Sequence, residues 1–218
     1  MSAVQINQTG KLDALLAAYC AGTLTPVMQA LVGSHLELCR DNHGFVDALD
    51  GLQGTQLMQA EPQPATDRTA QLAAIFAAAP LPAAPRTEAP NIWPVSLQKI
   101  LNKDLNAIVW RRLLPGIRQY RLSHEIQGEA VLYWIKAGRK MPFHTHDGSE
   151  VTLVLQGAFS DANGRYGRGD VAIADSEINH QPVVDKDGDC ICFAVTDAPL
   201  RLTGPVGRIL DRLFGHHH

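Results

Sequence analysis

The sequence predicts an α+β, multidomain chain in which a small helical N-terminal domain precedes a β-rich domain of sandwich or barrel type. Three observations predict it. Residues 11–57 repeat apolar side chains at spacings of three and four, the period of a helix. Residues 61–94 are rich in proline and alanine and read as a linker. From Ile92 onward, short β-rich runs are punctuated by Gly, Asp and Pro at regular intervals.

The elements follow in order. In LDALLAAYCAGTL, Leu12, Leu15, Leu16 and Tyr19 share one helical face, and Gly22 ends that helix. Thr23 or Thr25 caps the next helix, with Pro26 in its first turn. VMQALVGSHLELC carries the helical pattern through Cys39, and a further helix is expected from about Gly44 to Gln59. So small a helical unit gains from a metal or a partner. The segments EPQPA and AAAPLPAAPRTEAPNIWP sustain neither a sheet nor a long helix. Between them ATDRTAQLAAIFAAA is apolar at helical spacing, so the linker carries one short helix that could dock elsewhere. AIVWRRLLPGIRQYRLS, GEAVLYWIKA, EVTLVLQGAFS, GDVAIADS and CICFAVTDAPLRL read as strands, and GPVGRILDRLFG predicts a terminal helix. The resulting boundaries are 1–60 for the helical domain, 61–94 for the linker, 95–205 for the β domain and 206–215 for the last helix. The closing residues 216–218, His216, His217 and His218, read as the remainder of a purification tag and are set aside.

With 45% apolar and 19% charged residues, the composition is that of a soluble globular protein. A formal net charge of -3 supplies no basic field for direct nucleic-acid binding. No apolar run approaches the roughly 18 residues of a membrane span. The start, MSAVQINQTGKLD, has neither a basic nor an apolar signal region. Four cysteines are too few for a disulfide framework, so a reducing, cytoplasmic setting is expected.

The chemistry gathers in GRKMPFHTHDGSEVTLVLQG. His144 and His146 are two apart, so on a strand both imidazoles share a face. Glu150 follows the tight DGS segment and opens an apolar strand, from which it can turn toward the same point. Two imidazoles and a carboxylate suit iron, manganese, nickel, zinc or copper. A fourth ligand must come from elsewhere, and His180 in SEINHQP is the credible histidine. His124, in the polar RLSHEIQ, reads as a surface residue. Alone, an HxH pair is more often incidental than a ligand pair.

The whole spacing is narrower: Gly138, five residues, His144-x-His146, three residues, Glu150, six residues, Gly157. This resembles the first motif of the cupin superfamily at every position. The second motif is looser: Gly164, Gly169-Asp170 and His180 match its outline, while Glu177 and Val184 stand where a glycine and an asparagine are expected. The resemblance implies a cupin double-stranded β-barrel (jelly roll), with His144, His146, Glu150 and His180 lining its interior around one divalent metal ion, of which Zn, Mn, Fe and Ni all fit. Val151, Leu153, Trp134 and Phe143 are candidates to restrict solvent there, although each reads first as an ordinary core residue.

The helical part adds HLELCRDN, in which His35 and Cys39 lie at i and i+4 on one helix face. With AAYCAGTL, HLELC, VTLVLQGAF, GDVAIAD and DCICFAVTDAPLRL, the order of segments resembles the ChrR-type anti-sigma factors, which join a zinc-binding helical domain to a C-terminal cupin. That family's zinc motif is H-x3-C-x2-C with a further upstream histidine. Here His35 and Cys39 match, the second cysteine is Asn42, and Gly10 lies near the position of the upstream histidine. Asn is a poor zinc ligand. His43 could substitute only if the helix ends near Cys39, and Cys20 reads as a half-buried core thiol. The expectation is therefore a weak or lost zinc site at His35 and Cys39, with an apolar core in its place. Cys190 and Cys192 alternate on a strand and share a face.

Two functions follow from the resemblance. One is an anti-sigma factor that binds an extracytoplasmic-function (ECF) sigma factor and inhibits transcription. Its cupin would sense oxidative stress, such as singlet oxygen or organic peroxides, through a small-molecule or oxidant ligand. The alternative is a mononuclear metal cupin enzyme, dioxygenase-like, acting on a small molecule. The first is preferred.

Overall fold

The computed structural model describes residues 3–63, 66–79, 93–101, 107–122, 129–146, 148–175, 180–197 and 200–202. The expected terminal helix over 206–215, the residues 216–218 and His124 lie outside the described residues.

Among the described residues five helices come first: α1 (Ala3–Cys20), α2 (Pro26–Leu38), α3 (His43–Gln59), α4 (Arg68–Ala77) and α5 (Val95–Leu101). Thr25 caps α2, its hydroxyl oxygen accepting the Met28 N–H at 3.4 Å, and Pro26 occupies the first turn where its missing N–H costs nothing. The linker's short helix is α4, opened by Asp67, whose carboxylate accepts the Ala70 N–H at 3.2 Å.

Helix α5 departs from the strand expected after Ile92. Leu97 and Leu101 fall one helical turn apart and are both buried. The decisive group is distant in sequence. The Glu37 carboxylate on α2 accepts the Val95 N–H at 2.6 Å, the Ser96 N–H at 2.9 Å and the Ser96 hydroxyl at 2.6 Å. A carboxylate satisfying exposed N–H groups at a helix start is a strong local stabiliser, and no local pattern announces it. Nearby, a Cβ on Gly33 would lie 2.7 Å from Ser96 Oγ, so only glycine lets α2 and α5 approach this closely.

The strands are β1 (Arg111–Leu114), β2 (Ile117–Arg121), β3 (Glu129–Ile135), β4 (His144–His146), β5 (Glu150–Gln156), β6 (Ala158–Asp161), β7 (Gly164–Gly167), β8 (Val171–Ala174), β9 (Val183–Val184), β10 (Cys190–Thr196) and β11 (Leu200–Leu202). They form a six-stranded sheet in the order β1-β2-β3-β10-β5-β8, a three-stranded sheet β7-β6-β9 and a pair β11-β4, all antiparallel. This is a cupin-like β-sandwich behind a helical region, the predicted α+β class.

Two apolar cores explain the strand sequences. Inside the sandwich, Ile117, Ile135, Val154 and Cys192 of the large sheet meet Phe159 and Val184 of the smaller one. On the outer face of the large sheet, Leu132, Leu153, Leu155 and Phe193 meet Leu16, Val27, Leu31, Leu97 and Leu101 from α1, α2 and α5. β10 is therefore buried along its whole length, and CICFAVT reads as a continuous apolar run rather than an alternating one. Cys190 and Cys192 point inward with their sulfurs 3.4 Å apart. Their mutual hydrogen bond, and then burial, push the Cys192 thiol well above its usual range, which keeps it protonated and unreactive.

This alternation corrects one expectation. Val151 and Leu153 face the helices, on the opposite side of β5 from Glu150. Trp134 packs in the same outer core and carries the Arg118 guanidinium 4.7 Å from its ring centre, and Phe143 is 47% exposed. Val151, Leu153 and Trp134 therefore lie on the opposite face of the sheet from Glu150.

Helices α3 and α4 behave differently. Neither buries a residue. They expose Phe45, Leu52, Leu57, Met58, Leu72, Ile75 and Phe76, the last 84% exposed. No helix among the described residues is long and apolar enough to cross a membrane.

Candidate metal centre

The site is built from three pieces of chain. His144 opens β4, Glu150 opens β5, and His180 forms a bridge with His144 in which each N–H meets the other's carbonyl at 3.3 Å. That bridge brings the distant His180 beside the first motif. His144, Glu150 and His180 are all buried, and their ligand atoms lie within 4.8 Å of one another. Among the described residues they are the one group of three or more His, Cys, Asp or Glu so arranged.

The orientation of each side chain has a visible cause. His144 Nδ1–H donates to the Pro142 carbonyl at 2.8 Å, and His180 Nδ1–H donates to Asp161 Oδ2 at 3.2 Å. The Thr152 hydroxyl donates to Glu150 Oε1 at 3.0 Å. With Nδ1 committed on each ring, Nε2 is the ligand nitrogen. The two Nε2 atoms lie 3.7 and 3.6 Å from Glu150 Oε2. These separations exceed hydrogen-bond length. They match two ligands on one cation, since bonds of about 2.1 Å at a tetrahedral angle place ligand atoms about 3.4 Å apart. The donor set therefore fits a divalent metal ion. The rings meet edge to face, with centroids 4.3 Å apart.

The electrostatics agree. Burial pushes the His180 imidazolium toward deprotonation, but the hydrogen bond to Asp161 and the close negative charge of both Glu150 and Asp161 outweigh it and lift the pKa to about 9. Two carboxylates around one imidazole leave a negative pocket that a bound cation neutralises. The cleft over the site is lined by Asp161, Asn163, Tyr166 and the β8 residues Ala172–Ala174, and has room for about one water-sized molecule.

His146 also lies on β4, where its backbone pairs with Leu200; its side chain lies outside the described residues. Sequence reasoning missed Asp161 and Thr152. Asp161 is disguised as a turn residue: its Oδ1 accepts the N–H groups of Asn163 and Gly164 at 2.8 and 3.2 Å while its Oδ2 holds His180. The D-x-N-G pattern announces only the first of those tasks.

The second candidate site comes together otherwise. His35 is 2% exposed. Its Nδ1–H donates to the Gly169 carbonyl at 2.7 Å, and its Nε2 accepts from the Asn42 amide at 2.8 Å. Cys39 uses its backbone N–H to close α2 on the His35 carbonyl at 2.8 Å. The helix does end near Cys39, yet His43 turns its Nε2 to the Leu36 carbonyl at 2.8 Å. His35 and Cys39 are not joined by a third ligand among the described residues.

The comparisons agree with this architecture. The family model described as the ChrR Cupin-like domain matches residues 99–199. The anti-sigma-E factor ChrR of Cereibacter sphaeroides is 38% identical over 206 residues, covering 93% of this chain and 95% of that protein. A solved structure of Rhodobacter sphaeroides SigE in complex with the anti-sigma ChrR is 39% identical, with a TM-score of 0.71 over 85% of this chain and 96% of that one.

Proposed function

The chain belongs to the family of ChrR-type anti-sigma factors with a cupin domain, and from that premise we propose that it binds an ECF sigma factor and inhibits transcription. The observation that carries the reading is the apolar surface of α3 and α4, which among the described residues pack only the partly buried Val46 against the core and present Phe45, Leu52, Leu57, Met58, Leu72, Ile75 and Phe76 to solvent. Amphipathic helices with such faces sequester apolar grooves of a partner. The relative's complex with SigE supports the partner class. A cytoplasmic location follows from a partner that works on RNA polymerase.

In this reading the cupin is the sensing half. His144, His146, Glu150 and His180 hold one divalent ion, and zinc, manganese, iron and nickel all suit three imidazoles and a carboxylate. Such an ion supplies a Lewis-acidic position at which a small oxygen-donor ligand or oxidant exchanges with water. Asp161 and Thr152 orient the ligands, and the narrow cleft admits small molecules in preference to a bulky substrate. Oxidative stress is the signal this arrangement would read.

Calorimetry with the cognate sigma factor tests the proposal. A one-to-one complex is expected, lost in an Ile75→Glu/Phe76→Glu variant that keeps its far-UV circular dichroism. Absence of binding by both metal-loaded and metal-free protein overturns it.

A further inference from the structure

Strand β8 is an edge of the six-stranded sheet, with β5 as its one neighbour there. The helices hold it at both ends. At its start, the Gly169 carbonyl accepts the buried Nδ1–H of His35. Gly169 has φ +94, and a Cβ there would lie 3.3 Å from Leu38 Cβ and 3.4 Å from the Leu38 carbonyl oxygen, so this turn sits directly on the last turn of α2. At its far end, Asp175 receives the Lys11 ammonium of α1 at 2.6 Å.

Between these anchors β8 faces the metal cleft. Ala172, Ile173 and Ala174 line it, and Ala174 is the direct cross-strand partner of Glu150. On the helical side the contacts continue. His35 Nε2 accepts from Asn42, the residue that immediately precedes α3, and His43 at the start of α3 bonds back to α2 through the Leu36 carbonyl. The position where the family's zinc motif has its second cysteine thus carries an amide that ties the start of α3 to the sandwich through His35.

We propose that β8 mechanically couples the metal cleft to the helical half. A change in how Glu150 is held shifts β8, and the Asn42–His35–Gly169 hydrogen bonds and the Lys11–Asp175 pair carry that shift to α1 and to the start of α3. An edge strand laddered on one side moves with less disruption than a central one, and hydrogen bonds and ion pairs with discrete partners convert small shifts into a change of state. The inference deepens the function proposed above and rests on its metal reading of the cleft.

Hydrogen exchange of the full chain, after chelation and after loading with zinc alone, tests it. In the unmodified protein, zinc is expected to slow exchange in peptides from β5 and β8 and also in those spanning residues 11–20 and 35–50, there by about threefold or more, the scale of one hydrogen bond. In a Lys11→Met/Asn42→Ala double variant with unchanged circular dichroism and zinc content, the slowing should remain in the sandwich and vanish from the helices. This double variant spares the buried His35 ring, whose removal risks unfolding. Equal helix responses in both proteins overturn the coupling, as does a zinc-loaded unmodified protein whose helices do not respond. A chain that takes up no zinc overturns the coupling together with the metal reading beneath it.

Discussion

His180 and His35 are buried to similar depth, at 7% and 2% exposure, and each commits its Nδ1–H to an oxygen acceptor. They part at the other nitrogen. His180 Nε2 looks across 3.6 Å to a carboxylate oxygen that His144 Nε2 also faces. His35 Nε2 lies 2.8 Å from an amide that already donates to it. One geometry leaves the volume of a cation between converging ligands; the other fills the ligand position with a hydrogen bond. The orientation of a metal-binding imidazole, with one nitrogen anchored to fix the other, is retained in both. What differs is the neighbour, and a single side chain, Asn42, makes that difference in the helical half.

The most severe way to break the comparison is to remove the shared carboxylate. Glu150→Ala should reduce metal affinity by more than the roughly 10- to 100-fold that loss of an orienting partner costs, so purified protein should carry little metal by elemental analysis. His35→Ala, assayed in the same way, should leave the metal content unchanged. A matching loss in both variants would mean that the helical histidine is a ligand after all.

A milder change acts through His180 alone. Asp161→Asn keeps the turn but replaces the anionic acceptor of His180 Nδ1–H, and affinity should fall about 10- to 100-fold. Proton linkage gives a second readout in the metal-free chain. The His180 pKa is lifted from 6.5 to about 9 on folding. The stabilisation is therefore complete below about pH 6.5 and is lost as pH rises through about 9. Thermal unfolding of chelated protein should show stability falling across that window, and Asp161→Asn should shift the fall to lower pH. Metal uptake displaces the same proton, so apparent affinity should rise with pH over the same range.

The two sites were not equally legible in the sequence. Three of the cupin residues sit within seven positions, His144 to Glu150, and the two-residue period of a strand makes such a cluster visible. His180 was legible only as the remaining credible histidine, since the bridge that seats it beside His144 is a tertiary event. Asp161 was hidden because its turn-forming role accounts for its presence by itself. In the helical half, the substitution at Asn42 was plain, but its consequence was not. The acceptor that completes the arrangement, the Gly169 carbonyl, belongs to a residue 134 positions away and to a backbone atom that every residue possesses. The same limit hid α5, whose start is capped by Glu37 from 58 positions upstream. On β5 the two-residue period sets Val151 and Leu153 opposite Glu150, on the face that the helices cover, so their closeness to the ligands in sequence is not closeness in space.

The finest test concerns the amide itself. If Asn42 holds His35 in place, Asn42→Ala should destabilise the chain by about 1 kcal/mol, the net worth of one hydrogen bond, and lower the melting temperature by about 2–4 °C for a chain of this size. His35→Ala should cost about 1–3 kcal/mol, because it also strips the Gly169 carbonyl of its buried donor. The double variant should cost less than the sum, by about 0.5 kcal/mol or more, since the two residues share one bond. Strict additivity would mean that the amide and the imidazole stand side by side without acting on each other. The contrast between the two histidines would then rest on the cupin carboxylates alone.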